Sequence, residues 1–205
     1  MEIHFLIRGL AIGFSIAAPV GPIGVLCLRR TLTEGRVSGF VSGLGAATAD
    51  AVYGAIAGFG LTFISIFLIH QQWWLRIIGG IFLSCLGVKT FMANPSVQGP
   101  SPKGSGLIRA YASTSFLTLT NPMTILSFAA IFAGLGIGSL GRDYLSAGVL
   151  VLGVFIGSMF WWFLLSSGVS LFRKKFNPLG LRWVNRISGL IILGFGLLAF
   201  LSLKK

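Results

Sequence analysis

Apolar residues in this chain are gathered into six long runs that short polar connections separate. The runs cover residues 5–28, 38–60, 73–93, 111–138, 145–171 and 185–203. A helix needs about 20 apolar residues to cross roughly 30 Å of hydrocarbon, so each run is long enough to span a bilayer. Residues 61–69 are also apolar and either lengthen the second helix or form an interfacial piece. The pattern predicts an all-α polytopic membrane protein with six transmembrane helices.

Proline interrupts two of the six runs. The first run contains Pro19, Gly21 and Pro22, and the fourth contains Asn121 and Pro122. Proline removes a backbone donor and clashes with the preceding turn, so helices 1 and 4 are predicted to be broken. Hydrocarbon tolerates such a break only where protein, water or solute satisfies the freed backbone groups. The alternative interpretation is a pair of kinks that serve packing alone.

The two broken runs occupy corresponding places in two similar halves. A shift of 110 residues superimposes six residues of the stretch Trp73 to Leu83 on identical residues of the stretch Trp183 to Leu193. Each half holds three crossings, so the second half must run in the opposite sense and form an inverted repeat; the alternative is chance similarity. The predicted organisation is a single membrane domain with a first repeat at 1–93, a flexible linker at 94–110 and a second repeat at 111–205.

Charge is scarce and unevenly placed. Only 10% of the residues are charged, against roughly 25% in soluble domains, and the net charge is +12. The connections after the first, third and fifth runs carry eleven of the 16 basic residues, and the opposite side carries the other five. Basic residues favour the cytoplasmic side, so both termini are predicted to lie outside the cytoplasm. Scattered between apolar runs, these charges form no surface for nucleic acid.

Asp50 is the one acidic residue that lies well inside an apolar run. It lies about 18 Å along the helix axis from the start of its run, near the middle of a bilayer. An intramembrane carboxylate normally faces the bundle interior and marks a path for protons, ions or substrate. Small residues share its helical face, namely Gly39, Gly43, Ala47, Gly54 and Gly58. We expect Asp50 to exchange a proton or contact a substrate amine; the alternative is a buried carboxyl group that bonds Thr48 or Tyr53.

Other candidate chemistry is sparse. In the fifth run, Ser158 and Trp161 lie at a comparable depth and either line a cavity or pack. No Ser/His/Asp set, HExxH motif or pair of carboxylates occurs, so no enzyme activity is predicted. Cys27 and Cys85 lack metal-ligand spacing, and no metal or cofactor is expected.

Several motifs together resemble one transporter family. They are APVGPI at residues 18–23, LRRTLTEG at 28–35, the segment 43–50 and the pair Asn121-Pro122. In this combination the chain resembles the LysE/RhtB family of amino-acid exporters along its whole length. The resemblance implies six spans, inverted repeats and proton-driven efflux of amino acids across a bacterial inner membrane. Ile23 stands where many members carry a polar residue, so basic amino acids, neutral ones and related metabolites all stay open as solutes.

The sequence therefore predicts a secondary exporter, most simply a proton antiporter, with a channel or passive pore as the alternative. The half-helix ends at Pro22 and Pro122 would hold a substrate carboxylate. The predicted substrate-binding residues are Pro19, Gly21, Pro22, Asn121 and Pro122. The expected partners are an amino-acid solute, protons and the lipid bilayer, and exposed glycine-rich helix faces could pair two copies into a homodimer.

Overall fold

The computed structural model describes residues 2–19, 21–59, 67, 70–93, 104–134, 144–173 and 177–202. Within these ranges the chain forms eight α-helices. They are α1 (Glu2–Ala17), α2 (Pro22–Glu34), α3 (Arg36–Gly58), α4 (Gln72–Met92), α5 (Ser105–Leu119), α6 (Pro122–Gly134), α7 (Tyr144–Arg173) and α8 (Pro178–Leu201). The predicted helical class is confirmed.

The helices fall into long single rods and bent pairs. Within the described ranges, α3, α4, α7 and α8 are each long and apolar enough to cross a membrane. The pair α1 and α2 is bent by 80°, and the pair α5 and α6 by 61°. Counting each bent pair as one span raises the number of candidate spans from four to six. The protein is a multi-pass membrane protein, and the chain is broken at both predicted proline motifs, between α1 and α2 and between α5 and α6.

Several helix ends differ from the boundaries that the apolar runs predict. Helix α2 continues to Glu34, so Arg29 and Arg30 are helical rather than part of a connection. Hydrogen bonds from both guanidinium groups to oxygens of other helices allow this. Helix α5 includes residues 105–110, which the sequence assigned to the linker. Most of the apolar segment 61–69 and residues 94–103 lie outside the described residues.

Glycines allow the helices to pack closely. Helix α1 lies along α7, where a methyl group added at Gly13 would come within 2.0 Å of the Val154 carbonyl oxygen. On α3, a methyl group at Gly43 would lie 2.3 Å from the Trp162 Cβ, and one at Gly54 would make ordinary contact with Val154 at 3.5 Å. Gly43, Gly54 and Gly58 of the small face predicted for α3 therefore pack against α7, whereas Gly39 packs against Thr31 of α2. Small residues allow such close contact between membrane helices.

The pairing of helices is reciprocal between the two halves of the chain. Helix α1 of the first half packs on α7 of the second, and α5 of the second half packs on α3 of the first. The remaining large contacts join α3 to α7 and α4 to α8. The long helices and α1 and α5 thus pack mainly on a member of the other half, whereas α2 packs most on α3 of its own half.

Candidate functional site

A cavity of about 650 Å³ lies where the two bent pairs meet. Its lining includes every residue that the sequence proposed for substrate or proton binding, namely Pro19, Gly21, Pro22, Asp50, Asn121 and Pro122. The structure therefore gathers two motifs separated by about one hundred positions, together with the mid-helix carboxylate, at one internal space.

The first break leaves the start of α2 without a side-chain cap. Helix α1 ends at Ala17 and α2 begins at Pro22, with Gly21 in an extended conformation before it and no side chain bonding the first turn. The first N–H groups of any helix lack an intrahelical partner, and here the residues that carry them, Ile23 and Gly24, line the cavity. No described atom lies within 4 Å of the position that a Cβ of Gly21 would occupy. This helix end is open to an anion.

The second break is closed by its own residues. The Asn121 Oδ1 accepts a hydrogen bond from the Met123 N–H at 3.1 Å, and the Thr124 N–H donates to the Asn121 carbonyl at 3.1 Å. The Leu119 carbonyl, which a continuous helix would pair with the Met123 N–H, accepts a hydrogen bond from the Tyr53 hydroxyl instead. The two half-helix starts are therefore unequal, because α6 is capped and α2 is not.

Asp50 is buried and tied to the opposite half of the chain. Its side chain is 3% exposed, and its Oδ2 accepts a hydrogen bond from the Ser158 Oγ at 2.7 Å. The Thr48 and Tyr53 hydroxyls donate to backbone carbonyls, so these hydrogen bonds do not go to the carboxylate. Of the two alternatives left open for Ser158, the structure shows packing: the residue is fully buried, is absent from the cavity lining and orients the carboxylate through this hydrogen bond. The hydrogen bond joins α3 to α7 beside the cavity.

Of the two alternatives left open for Trp161, the structure shows packing, and the cavity is lined by its neighbour Trp162 instead. Trp161 packs edge-to-face against Phe14 of α1, with ring centroids 5.3 Å apart. Adjacent residues on a helix point about 100° apart, so only one of the two rings can face the cavity from α7. Trp162 contacts Gly43 on α3, the small residue that leaves room for its ring.

Arg76 is a site residue that the sequence reasoning missed. It lines the cavity one turn before Gly79, and it donates to the Ser202 carbonyl at 2.6 Å and to the Gln72 Oε1 at 3.2 Å. Among the described residues that line the cavity, Asp50 and Arg76 are the only charged ones. Arg76 is one of the six residues that the 110-residue shift matches, and its counterpart is Arg186. That match gave no information on which side of its helix faces a cavity.

The opposite end of the bundle is held together by arginines. Arg30 is 7% exposed, and its Nη1 donates to the Ser42 Oγ at 2.8 Å and the Thr114 Oγ1 at 3.0 Å. Its Nη2 donates to the Ser113 Oγ at 2.8 Å. These bonds join α2, α3 and α5. The cavity instead extends toward the end where α4 begins and α8 ends, because Arg76 and other residues there line it.

No metal site accompanies the cavity in the part of the chain that the structure describes. Within that part, no group of three or more His, Cys, Asp or Glu side chains is placed to hold a metal ion. The chemistry available at the cavity is thus one carboxylate, one guanidinium group, an uncapped helix end and apolar walls.

Comparison with known proteins links this chain to a family of translocators. A family model described as LysE type translocator matches residues 14–203. The chain is 29% identical to "Putative amino acid efflux protein YcgF" of Bacillus subtilis, over 91% of this chain and 90% of that protein. It is 26% identical to "Uncharacterized membrane protein YrhP" of the same organism, over 97% of this chain and all of that protein. No solved structure matches the chain at a significant level.

Proposed function

The chain belongs to the family of LysE type translocators, and on that premise we propose that it is a secondary exporter of amino acids or related small metabolites, driven by proton entry. The observation that carries this proposal is the convergence of both proline breaks and Asp50 on one cavity. Discontinuous helices that meet at mid-membrane are the usual construction of a transporter binding site. One curated relative bears the name of an amino acid efflux protein, which agrees with this solute class.

In the proposed site, the solute lies between the start of α2 and Asp50. The uncapped amides of Ile23 and Gly24 and the positive end of the α2 dipole suit a carboxylate. Asp50 suits an ammonium group. The capped start of α6 contributes the shape of the cavity through Asn121 and Pro122 rather than free donors.

Asp50 would also couple solute to protons. An ionised carboxylate can hold a solute ammonium group, whereas a protonated one cannot, so proton and solute compete for the same side chain. By linkage, each occupant lowers the affinity for the other by the same factor. Competition of this kind produces exchange: a proton entering from outside displaces the solute, and a solute from the cytoplasm displaces the proton.

Transport further requires that the cavity open alternately at both membrane faces. We propose that six spans form two inverted repeats, and the reciprocal packing of α1 on α7 and of α5 on α3 supports this arrangement. The state with the cavity extending toward Arg76 would be one of two, and the other would open at the end where Arg30 joins α2, α3 and α5. The membrane would be the bacterial inner membrane.

The test is efflux from bacterial cells preloaded with amino acids as dipeptides, with and without a proton uncoupler. We expect uncoupler-sensitive export that Asp50→Asn abolishes. Glu34→Gln is the matched control, because it makes the same acid-to-amide change at a residue that does not line the cavity. Glu34 lies at a helix end and forms an ion pair with Arg29 at 3.8 Å. Full export by Asp50→Asn would remove Asp50 from the mechanism.

A channel or passive pore is the second candidate, and the open cavity alone does not separate the two. Purified protein in liposomes does: an antiporter accumulates the solute against its gradient when a pH difference is imposed, whereas a pore only equilibrates it. Equilibration that ignores the pH difference would favour the pore.

A further inference from the structure

Trp162 carries a buried hydrogen-bond donor that the described part of the chain leaves without an acceptor. The side chain is 4% exposed, and no described residue accepts a hydrogen bond from its Nε1–H. A buried indole N–H normally finds a partner, because burial without one forfeits its bond to water. Trp162 lines the cavity. An acceptor brought by the solute would satisfy this donor.

The position of Trp162 links it to the other binding groups. It lies four residues after Ser158, hence one helical turn from the group that holds Asp50. Trp162 and Ile23, the second residue of α2, belong to the same buried apolar cluster. Trp162, the uncapped start of α2 and Asp50 therefore all line the same cavity.

The cavity lining also restricts the charge of the solute. Asp50 is the only acidic group among the described lining residues, and Arg76 adds a cation that disfavours a basic side chain. The other walls include large apolar side chains, such as Leu83, Leu117 and Phe195. Such walls favour an uncharged apolar side chain, because a charged one would lose its hydration there.

We propose that Trp162 is a solute-binding residue, which donates its indole N–H to the carboxylate of a neutral amino acid with an apolar side chain. This inference rests on the proposed function. The carboxylate accepts from Trp162 and the first turn of α2, the ammonium group contacts Asp50, and the apolar side chain contacts the cavity wall. The capped start of α6 leaves α2 as the half-helix with free donors.

The experiment measures binding of leucine and of leucinamide, which lacks the carboxylate, to the purified protein in lipid nanodiscs by calorimetry. Wild type should prefer leucine. Trp162→Phe removes the donor and should weaken leucine binding by about tenfold or more, as expected for a hydrogen bond to a charged group, and reduce the preference over leucinamide. Trp161→Phe, which changes the neighbouring ring outside the cavity, should bind both compounds as wild type does.

A second replacement covers the case in which Trp162→Phe does not fold. Incorporation of β-(3-benzothienyl)alanine at position 162 exchanges the N–H for sulfur and keeps the size of the ring. Loss of the leucine preference in that protein supports the inference. An unchanged preference, or equal loss of leucine and leucinamide, would overturn it by reducing Trp162 to a packing residue.

The solute class is tested with lysine in the same assay. We expect wild type to bind lysine about tenfold or more weakly than leucine, and Arg76→Gln to narrow that gap. Equal binding of lysine and leucine would refute the inference that the solute is a neutral amino acid. It would not contradict the proposed function as an exporter. If the wild-type protein bound no member of a full amino-acid panel, the proposed function itself would fail together with this inference.

Discussion

Single glycines decide whether two helices can meet in this protein. Gly13 of α1 and Gly148 of α7 are both helical, but their surroundings differ. A Cβ at Gly13 would overlap the Val154 carbonyl of α7, whereas a Cβ at Gly148 would meet no described atom within 4 Å. From the sequence alone, both are ordinary glycines within helices. Only their neighbours in space distinguish a packing glycine from a replaceable one.

Gly13→Ala is therefore expected to destabilise the protein, and Gly148→Ala is expected to have almost no effect. Forcing a methyl group into a packed interface costs about 1–3 kcal/mol, and backbone atoms on the far side leave α7 little room to adjust. Thermal unfolding of the purified variants in detergent, followed by size-exclusion chromatography, measures the difference. Equal melting temperatures for the two variants would contradict the close packing of α1 on α7.

Helix α2 depends at its far end on Arg30. One guanidinium group donates to oxygens of α3 and α5, so three elements share a single buried cation. No described carboxylate lies within ion-pair distance of Arg30, and hydroxyl and carbonyl dipoles solvate its charge instead. The planar guanidinium group can satisfy several oxygens at once, which a lysine ammonium group at this place would not reach.

Arg30→Gln should lower the stability of the protein by at least about 2 kcal/mol, since each lost hydrogen bond from a charged donor is worth about 1.5–3 kcal/mol. Arg109→Gln is the control, because Arg109 lies on α5 next to the same contact and is exposed. Urea or thermal unfolding of both variants tests this. A wild-type midpoint for Arg30→Gln would show that the three helices hold together without it.

The start of α8 is set by a local cap. The Asn177 Oδ1 accepts a hydrogen bond from the Gly180 N–H at 2.7 Å, and Pro178 begins the helix. Asn177→Ala should cost about 1 kcal/mol, the usual value of such a cap, whereas Asn177→Asp should retain stability because aspartate caps equally well. Unfolding midpoints compare the three proteins. Equal midpoints for the alanine and aspartate variants would argue against the cap.

At the scale of the whole molecule, most basic residues lie at one end of the bundle and the cavity extends toward the other end. The arginine contacts close the end that carries most of the basic residues, and the cavity extends toward the end of α4 and α8 that carries Arg76 and Ser202. If basic residues mark the cytoplasmic face, the cavity of this state is directed to the outside. The termini would then lie outside as well.

Cysteine labelling of intact cells tests this orientation. In a Cys85→Ala background, Ser202→Cys should react with a membrane-impermeant maleimide from outside, because Ser202 lines the cavity. Arg109→Cys, on the exposed surface of the basic end, should react only after the membrane is permeabilised. The reverse pattern would invert the topology and place the termini in the cytoplasm.

Much of this protein was readable from its sequence, because the deciding forces act along the chain. Hydrocarbon thickness sets the length of an apolar run, and a missing proline N–H breaks a helix wherever it occurs. The helical class and the breaks at Pro22 and Pro122 were therefore predicted correctly, and the described helices provide four to six candidate spans. The depth of Asp50 in the bilayer stays a prediction, which rests on its position within a run.

Only the tertiary structure decided which side chains meet. Trp161 and Trp162 are neighbours of one type, and the rotation of α7 against α3 directs the second ring to the cavity. In the sequence, Arg30 has the position of a charged residue in a loop, but in the structure oxygens of α3 and α5 accept its hydrogen bonds. Ser158 is the hydrogen-bond partner of Asp50 because α7 lies beside α3. Contacts between distant segments depend on how helices rotate and approach, and periodicity along one helix contains no information on its neighbours.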